Sequence, residues 1–187
     1  MGILQELLKD IPVPKMAKVK VNFDNKKIDD LGLTLMTQLQ RVDIQEKVKP
    51  GMEIAIAVGS RGLDRLPEMT AVTVQFLKDL GAKPFIVPSM GSHGGATAEG
   101  QREVLAHLGV TENSVGCEIR SSMDVVKISE LPNGLPIYVD KFASEADGIV
   151  VINRIKPHTA FRGPVESGMM KMISIGLGKQ KGAEACH

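Results

Sequence analysis

The chain has 187 residues, 43% of them hydrophobic but only 3% aromatic, and its 23 basic and 22 acidic residues leave a formal net charge of +1. That size and apolar content suffice for one domain, or one with appendages, whose core removes roughly 70% of the unfolded surface from water. The balanced charge excludes a basic nucleic-acid-binding face and an acidic tail, and the shortage of rings excludes an aromatic stacking platform for single strands.

Cys117 and Cys186 form no CxxC pair, which reads as two free thiols in a reducing compartment. The opening MGILQELLKDIP lacks the basic and apolar regions of a secretory signal. No apolar run approaches the ~20 residues of a membrane span. The expectation is a cytoplasmic protein with neither a membrane nor a nucleic acid as partner.

In chain order, Ile3 to Leu8 is a short apolar segment closed by Pro12 and Pro14. Lys18 to Phe23 alternates polar and apolar residues, which predicts a half-exposed strand. Leu35, Met36, Leu39 and Val42 recur at helical spacing, and Pro50-Gly51 ends that unit. Glu53 to Val58, EIAIAV, is a short apolar strand running into Gly59-Ser60-Arg61-Gly62. Pro67 to Leu80 is a predicted helix, with proline in its first turn and Gly81 past its end. Pro84 to Val87 is a second apolar strand, followed by PSMGSHGGAT. Ala98 to Leu108 is a helix stopped by Gly109. Val125 to Ile128 and Pro136 to Val139 form a predicted hairpin around Asn133-Gly134. Gly148 to Ile152 is a third buried strand, entering NRIKPHT, and Val165 to Ile175 is a Met-rich helix.

Strand, glycine-rich loop and helix in repetition predict an α/β, Rossmann-like domain: a mainly parallel sheet with helices on both faces, plus a small hairpin. Continuous apolar strands agree with burial on both faces. In an open parallel sheet the loops at the carboxyl ends of the strands share one edge, where ligands bind. Arg61, His93 and His158 are therefore expected to face one crevice.

Each has an alternative reading. Arg61 either faces a ligand or pairs with Asp64, and the turn around it can bind an anion through its backbone N–H groups. His93, flanked by Gly91, Gly94 and Gly95, sits where backbone or ligand can approach closely. His158 follows Pro157, and is either a site residue or a loop histidine capping a carbonyl. The two histidines suit acid/base chemistry near neutral pH, or two positions of a zinc site. Lys171, within MMKMISIG, either snorkels or is desolvated into a nucleophile. His107, near the end of its helix, is expected to be structural, since the helix dipole favours a cation there.

GSHGGAT, IKPHTAFRGPVESGMMKMISIGLGKQKGA and the closing His187 together resemble the amino-terminal domain of the lactate racemase family. Its members are nickel-pincer-nucleotide-dependent 2-hydroxyacid racemases and epimerases. The likeness runs from about Glu53 onward and is sharpest over Asn153 to His187. It implies two α/β domains with the site between them, so residues 1–187 are expected to be a cofactor-binding and catalytic domain whose carboxyl-terminal partner is absent. It implies His93 and His158 as the catalytic bases, Arg61 beside a small 2-hydroxy acid substrate and His187 on nickel. Lys171 matches the lysine joined to one arm of the cofactor, a pyridinium-3,5-bisthiocarboxylic acid mononucleotide. Ser60 and the glycines, Gly94 among them, are implied to help hold its phosphate.

The chemistry that the resemblance implies is reversible hydride transfer. One histidine takes the hydroxyl proton as hydride leaves carbon for the pyridinium ring, and the other serves the opposite face of the flattened intermediate. Imidazole and sulfur donors are reasonable partners for nickel. The sequence departs from the family pattern before Arg61, where Ala57-Val58-Gly59-Ser60 contains no acid. Two other functions remain open on the residues alone: a zinc-dependent hydrolase using His93 and His158, and a non-catalytic nucleotide-binding module.

Overall fold

The run EIAIAV forms the central strand, β1 (Glu53–Val58), of a three-stranded parallel sheet in the order β2-β1-β5. The computed structural model describes residues 2–12, 14–24, 26–157, 162–164 and 166–186. The flanking strands are β2 (Lys83–Pro88) and β5 (Gly148–Ile152), and Ile119 adds a single parallel bridge to Ile86 at the β2 edge.

Alternation along β1 decides what packs on each face. Ile54, Ile56 and Val58 belong to the larger core, with Leu66, Val74 and Leu77 of α4 (Leu66–Asp79) and Leu105 of α5 (Ala98–His107). Met36 and Leu39 of α2 (Leu31–Leu39) close that core from outside; α1 (Ile3–Leu8) buries no residue, and the one-turn α3 (Val42–Gln45) follows α2. Ala55 and Ala57 face the other way and leave room for a second core of Phe85, Val87, Val139, Ala143 and Leu177. That side is covered by the hairpin β3 (Val125–Glu130) and β4 (Pro136–Asp140), by α7 (Lys141–Glu145), and by the segment entering α9 (Lys179–Cys186). The expected α/β, Rossmann-like arrangement with a small hairpin is thus observed.

Local chemistry fixes the helix starts. Asp30 accepts from the Leu33 N–H at 2.8 Å and Thr97 accepts from the Gly100 N–H at 3.0 Å, capping α2 and α5; such caps are worth about 1 kcal/mol each. Pro67 occupies the first turn of α4, where no N–H is required. In α6 (Glu112–Val115), Thr111 and Ser114 exchange backbone and side-chain hydrogen bonds. His107 sits in the last turn of α5 with Nδ1 2.8 Å from the Glu103 carbonyl, the structural placement expected of it.

Three segments differ from expectation. Gly148–Ile152 does form β5, but at the edge of the sheet none of its residues is buried and Ile149 is 42% exposed. Lys18 to Phe23 forms no strand, and Val19, Val21 and Phe23 are 77%, 61% and 78% exposed. An alternating pattern needs a neighbouring strand to take its backbone hydrogen bonds, and no strand pairs with it among the described residues. The Met-rich helix begins late, as α8 (Met169–Lys171), because Gly168 at φ 79°, ψ −135° cannot lie inside a helix. It then widens into a π-helical turn, Met172–Gly176, where the Leu177 N–H reaches the Met172 carbonyl at 2.8 Å. No helix among the described residues is long and apolar enough to cross a membrane.

Ile56→Ala, in the fully buried centre of the sheet, is expected to cost about 2–5 kcal/mol in urea denaturation. Val21→Ala is expected to cost less than about 0.5 kcal/mol. A loss at Val21 as large as that at Ile56 would show that the arm packs on the domain.

Candidate active site

The three strands end at one level. Val58 is in register with Pro88 of β2 and with Ile152 of β5, so the loops that follow emerge side by side, as inferred from topology. Beyond that edge lies a cleft of about 320 Å³. Ser60 and Arg61 enter it from the first loop, His93 from the second and Arg154 and Lys156 from the third. Lys171 and Met172, at the π-helical turn, form the opposite wall.

The cleft is cationic. Arg61, Arg154, Lys156 and Lys171 line it, and no Asp or Glu does among the described residues, although the chain as a whole carries a net charge of only +1. Ser60 Oγ lies 2.5 Å from His93 Nδ1. With Nδ1 engaged, Nε2 is the ring nitrogen left for a ligand. Partial burial holds the His93 imidazole below the usual histidine range, and the charges of Arg61 and then Lys171 push it the same way. All three effects disfavour a second positive charge in the cleft, so the ring is neutral near pH 7 and able to accept a proton.

Backbone contact rather than side-chain packing seats the His93 loop on α5. Gly94 has φ +66°, and a Cβ there would lie 2.5 Å from the Gly100 carbonyl carbon. A Cβ on Gly100 would collide with the Gly94 oxygen. Gly94 is not among the residues lining the cleft; its observed role is this close approach. On the other side the Gly91 N–H donates to the Gly176 carbonyl at 3.2 Å, tying the loop to the π-helical turn.

Ser60, Arg61, His93 and Lys171 are thus brought together. His158 and His187 lie outside the described residues. Lys171 is exposed, with Met169 and Met170 beside it 56% and 54% exposed. Its apolar sequence neighbours therefore do not enclose it, and of the two readings of this lysine the desolvated one is not observed.

The residues that sequence reasoning passed over lie directly beneath the cleft. Lys179 and Asp140 have wholly buried side chains, with Lys179 Nζ 3.1 Å from Asp140 Oδ2. Lys179 Nζ also donates to the Pro88 carbonyl and, at 3.0 Å, to Gln101 Oε1. Asp140 Oδ1 caps α7 through the Ala143 N–H at 3.0 Å. Oδ2 has no well-angled hydrogen-bond donor and faces the lysine as a charge. Burial pushes the Asp140 carboxyl up and the Lys179 amine down, each partly offset by the other. Two carbonyl acceptors and a facing carboxylate around one amine match an ammonium, so the pair is charged. Nothing in GLGKQKGA distinguishes Lys179 from its exposed neighbour Lys181, and Asp140 and Lys179 are remote in sequence.

A family model described as the lactate racemase N-terminal domain matches residues 11–187. The chain belongs to that family. A comparison with curated proteins returns no match. The family assignment agrees with the resemblance drawn from the motifs, and the match extends further toward the amino terminus.

Two expectations follow from this geometry. His93 is expected to titrate below the ~6.5 of an ordinary histidine when its ring signals are followed by NMR. Arg61→Gln and Lys171→Gln should each raise that midpoint without fully normalising it, since burial is the largest cause; a midpoint unmoved by both would separate those charges from the ring. Because the folded state disfavours the protonated ring, stability falls as pH drops through the unfolded midpoint. Separately, Lys179→Met is expected to cost about 3–5 kcal/mol by leaving a buried carboxylate unpaired. Adding Asp140→Asn should return most of that loss in urea denaturation.

Proposed function

We propose that this domain carries the cofactor-binding and proton-transfer part of a 2-hydroxyacid racemase or epimerase that works with a nickel-pincer nucleotide, and that a second domain closes the cleft over substrate. The observation that carries the reading is a cleft at the strand ends with a neutral, serine-held imidazole among four basic side chains and no acid among the described residues. Family membership supports the reaction class.

The donor set of the cleft fits the group. A mononucleotide with a phosphate and acidic arms is strongly anionic, and Arg61, Arg154, Lys156 and Lys171 offer it four cations. Lys171, exposed at the cleft wall, supplies an accessible amine for one arm. His187 is proposed as the protein ligand to nickel. No group of three or more His, Cys, Asp or Glu that could hold a metal ion occurs among the described residues. When bound, the group supplies the electrophile that takes and returns a hydride.

The chain's own residues do the rest. Arg61 orients the substrate carboxylate. His93 Nε2 accepts the hydroxyl proton of one enantiomer, while Ser60 at Nδ1 fixes the plane of the ring. His158 is proposed to return the hydroxyl proton when the flattened 2-keto intermediate presents its other face; the centre inverts because hydrogen is restored to carbon on that face. Ser60 is also proposed to help hold the cofactor phosphate.

In the full-length protein supplied with cofactor, His93→Ala and His158→Ala are each expected to slow epimerisation of a 2-hydroxy acid by about 10²–10⁴-fold, the usual contribution of a general acid or base. Chiral analysis of the product checks this, and wild-type turnover in either variant would remove that histidine from the mechanism. An intact mass spectrum is expected to show a nucleotide adduct that disappears in Lys171→Ala.

A further inference from the structure

We propose that Lys179 and Gln101 are positioning residues for His93, a buried clasp that sets the loop carrying the imidazole. The inference rests on the proposed role of His93 for its effect on turnover, but not for its geometry. Gln101 is fully buried. Its Nε2 donates to the Gly91 carbonyl at 2.8 Å and the His93 carbonyl at 3.2 Å, while its Oε1 accepts from Lys179 Nζ.

The direction of that amide is dictated by chemistry. An ammonium has three donors and no acceptor, so only the oxygen of Gln101 can face it. The NH₂ must then point at the loop, where two carbonyls accept. Lys179 also holds the Pro88 carbonyl at the end of β2, so one amine fixes both the strand end and the glutamine that grips the loop after it. Asp140 balances the charge beneath.

Two features show that the arrangement is held against opposing costs. Lys179 adopts φ +53°, a left-handed conformation that a side chain disfavours. An amine and a carboxylate are removed from water together, a pairing that rarely gains net stability over an apolar substitute. Both costs are accounted for by the loop, since Gly91, Gly94 and Gly95 all have positive φ and the segment has little side-chain packing of its own to hold one conformation.

Full-length Gln101→Glu tests the clasp. The carboxylate still accepts from Lys179 but cannot donate to the loop carbonyls. The ¹⁵N imidazole signals of His93, one of four histidines within residues 1–187, read in the protein without cofactor, are expected to shift from their wild-type values as the Ser60 contact loosens. With cofactor, kcat is expected to fall about 10- to 100-fold while KM changes less than about threefold, the signature of a displaced group rather than lost binding. The double variant Lys179→Met with Asp140→Asn neutralises the pair without leaving a lone charge. It should fold, keep a thermal midpoint closer to wild type than Lys179→Met alone, and still show the displaced His93 signals. Wild-type His93 signals in both variants would overturn the clasp, whatever the turnover. Displaced signals support it even if the wild-type protein proves inactive on every hydroxy acid tried, an outcome that would count against the proposed function alone.

Discussion

The parallel register of β1 with both its neighbours is the constraint on which the site depends. Val58 pairs with Pro88 and with Ile152, so three chain segments distant in sequence leave the sheet at one height. A shift by one residue would turn every side chain of a strand to the other face. It would carry Ile56 out of the larger core and set Ser60 away from His93. The large residues of β1 on one face and its two alanines on the other make such a slip costly, since on the second face Ala55 and Ala57 lie beside Phe85 and Val87 under Val139, Ala143 and Leu177. Core packing and site geometry are therefore one specification.

Close backbone approach supplies what side chains do not. The His93 loop lies against α5 through Gly94 and Gly100, and against the π-helical turn through Gly91 and Gly176. Such contacts bring loops near a ligand, but they carry little of the interlocking that gives a core one conformation. Directional hydrogen bonds do that instead, with Ser60 on the ring, Gln101 on the carbonyls and the Lys179 amine on Gln101.

Elements whose burial is local and periodic were legible from the sequence. EIAIAV, the α4 pattern with Pro67 and Gly81, and the hairpin around Asn133-Gly134 all appear within a residue or two of expectation. So does the shared edge of the loops, because it follows from handedness and parallel order. The Lys18–Phe23 alternation misled because period two states a preference and supplies no partner. For Lys171 the apolar string left both readings open, because neighbours in sequence are not neighbours around a side chain: Met169 and Met170 are exposed beside it. Lys179 and Asp140 were invisible for the complementary reason. Burial of a lysine is the least expected outcome for that residue, and only the fold brings it under the Pro88 carbonyl.

The electrostatics of the cleft link binding to proton transfer. Arg61 and Lys171 attract an anion and, after burial, the larger cause, their charge also lowers the proton affinity of the His93 ring. An anion seated between them cancels part of that repulsion and raises the proton affinity of the ring. In the proposed reaction the base is thus available before the ligand arrives and becomes a better proton acceptor once it is there. An acid placed in this cleft would raise the imidazole's proton affinity permanently, and would also repel a carboxylate or phosphate. Four cations with no acid among the described lining residues make the gain in basicity conditional on the ligand, which is what a base for an anionic substrate requires.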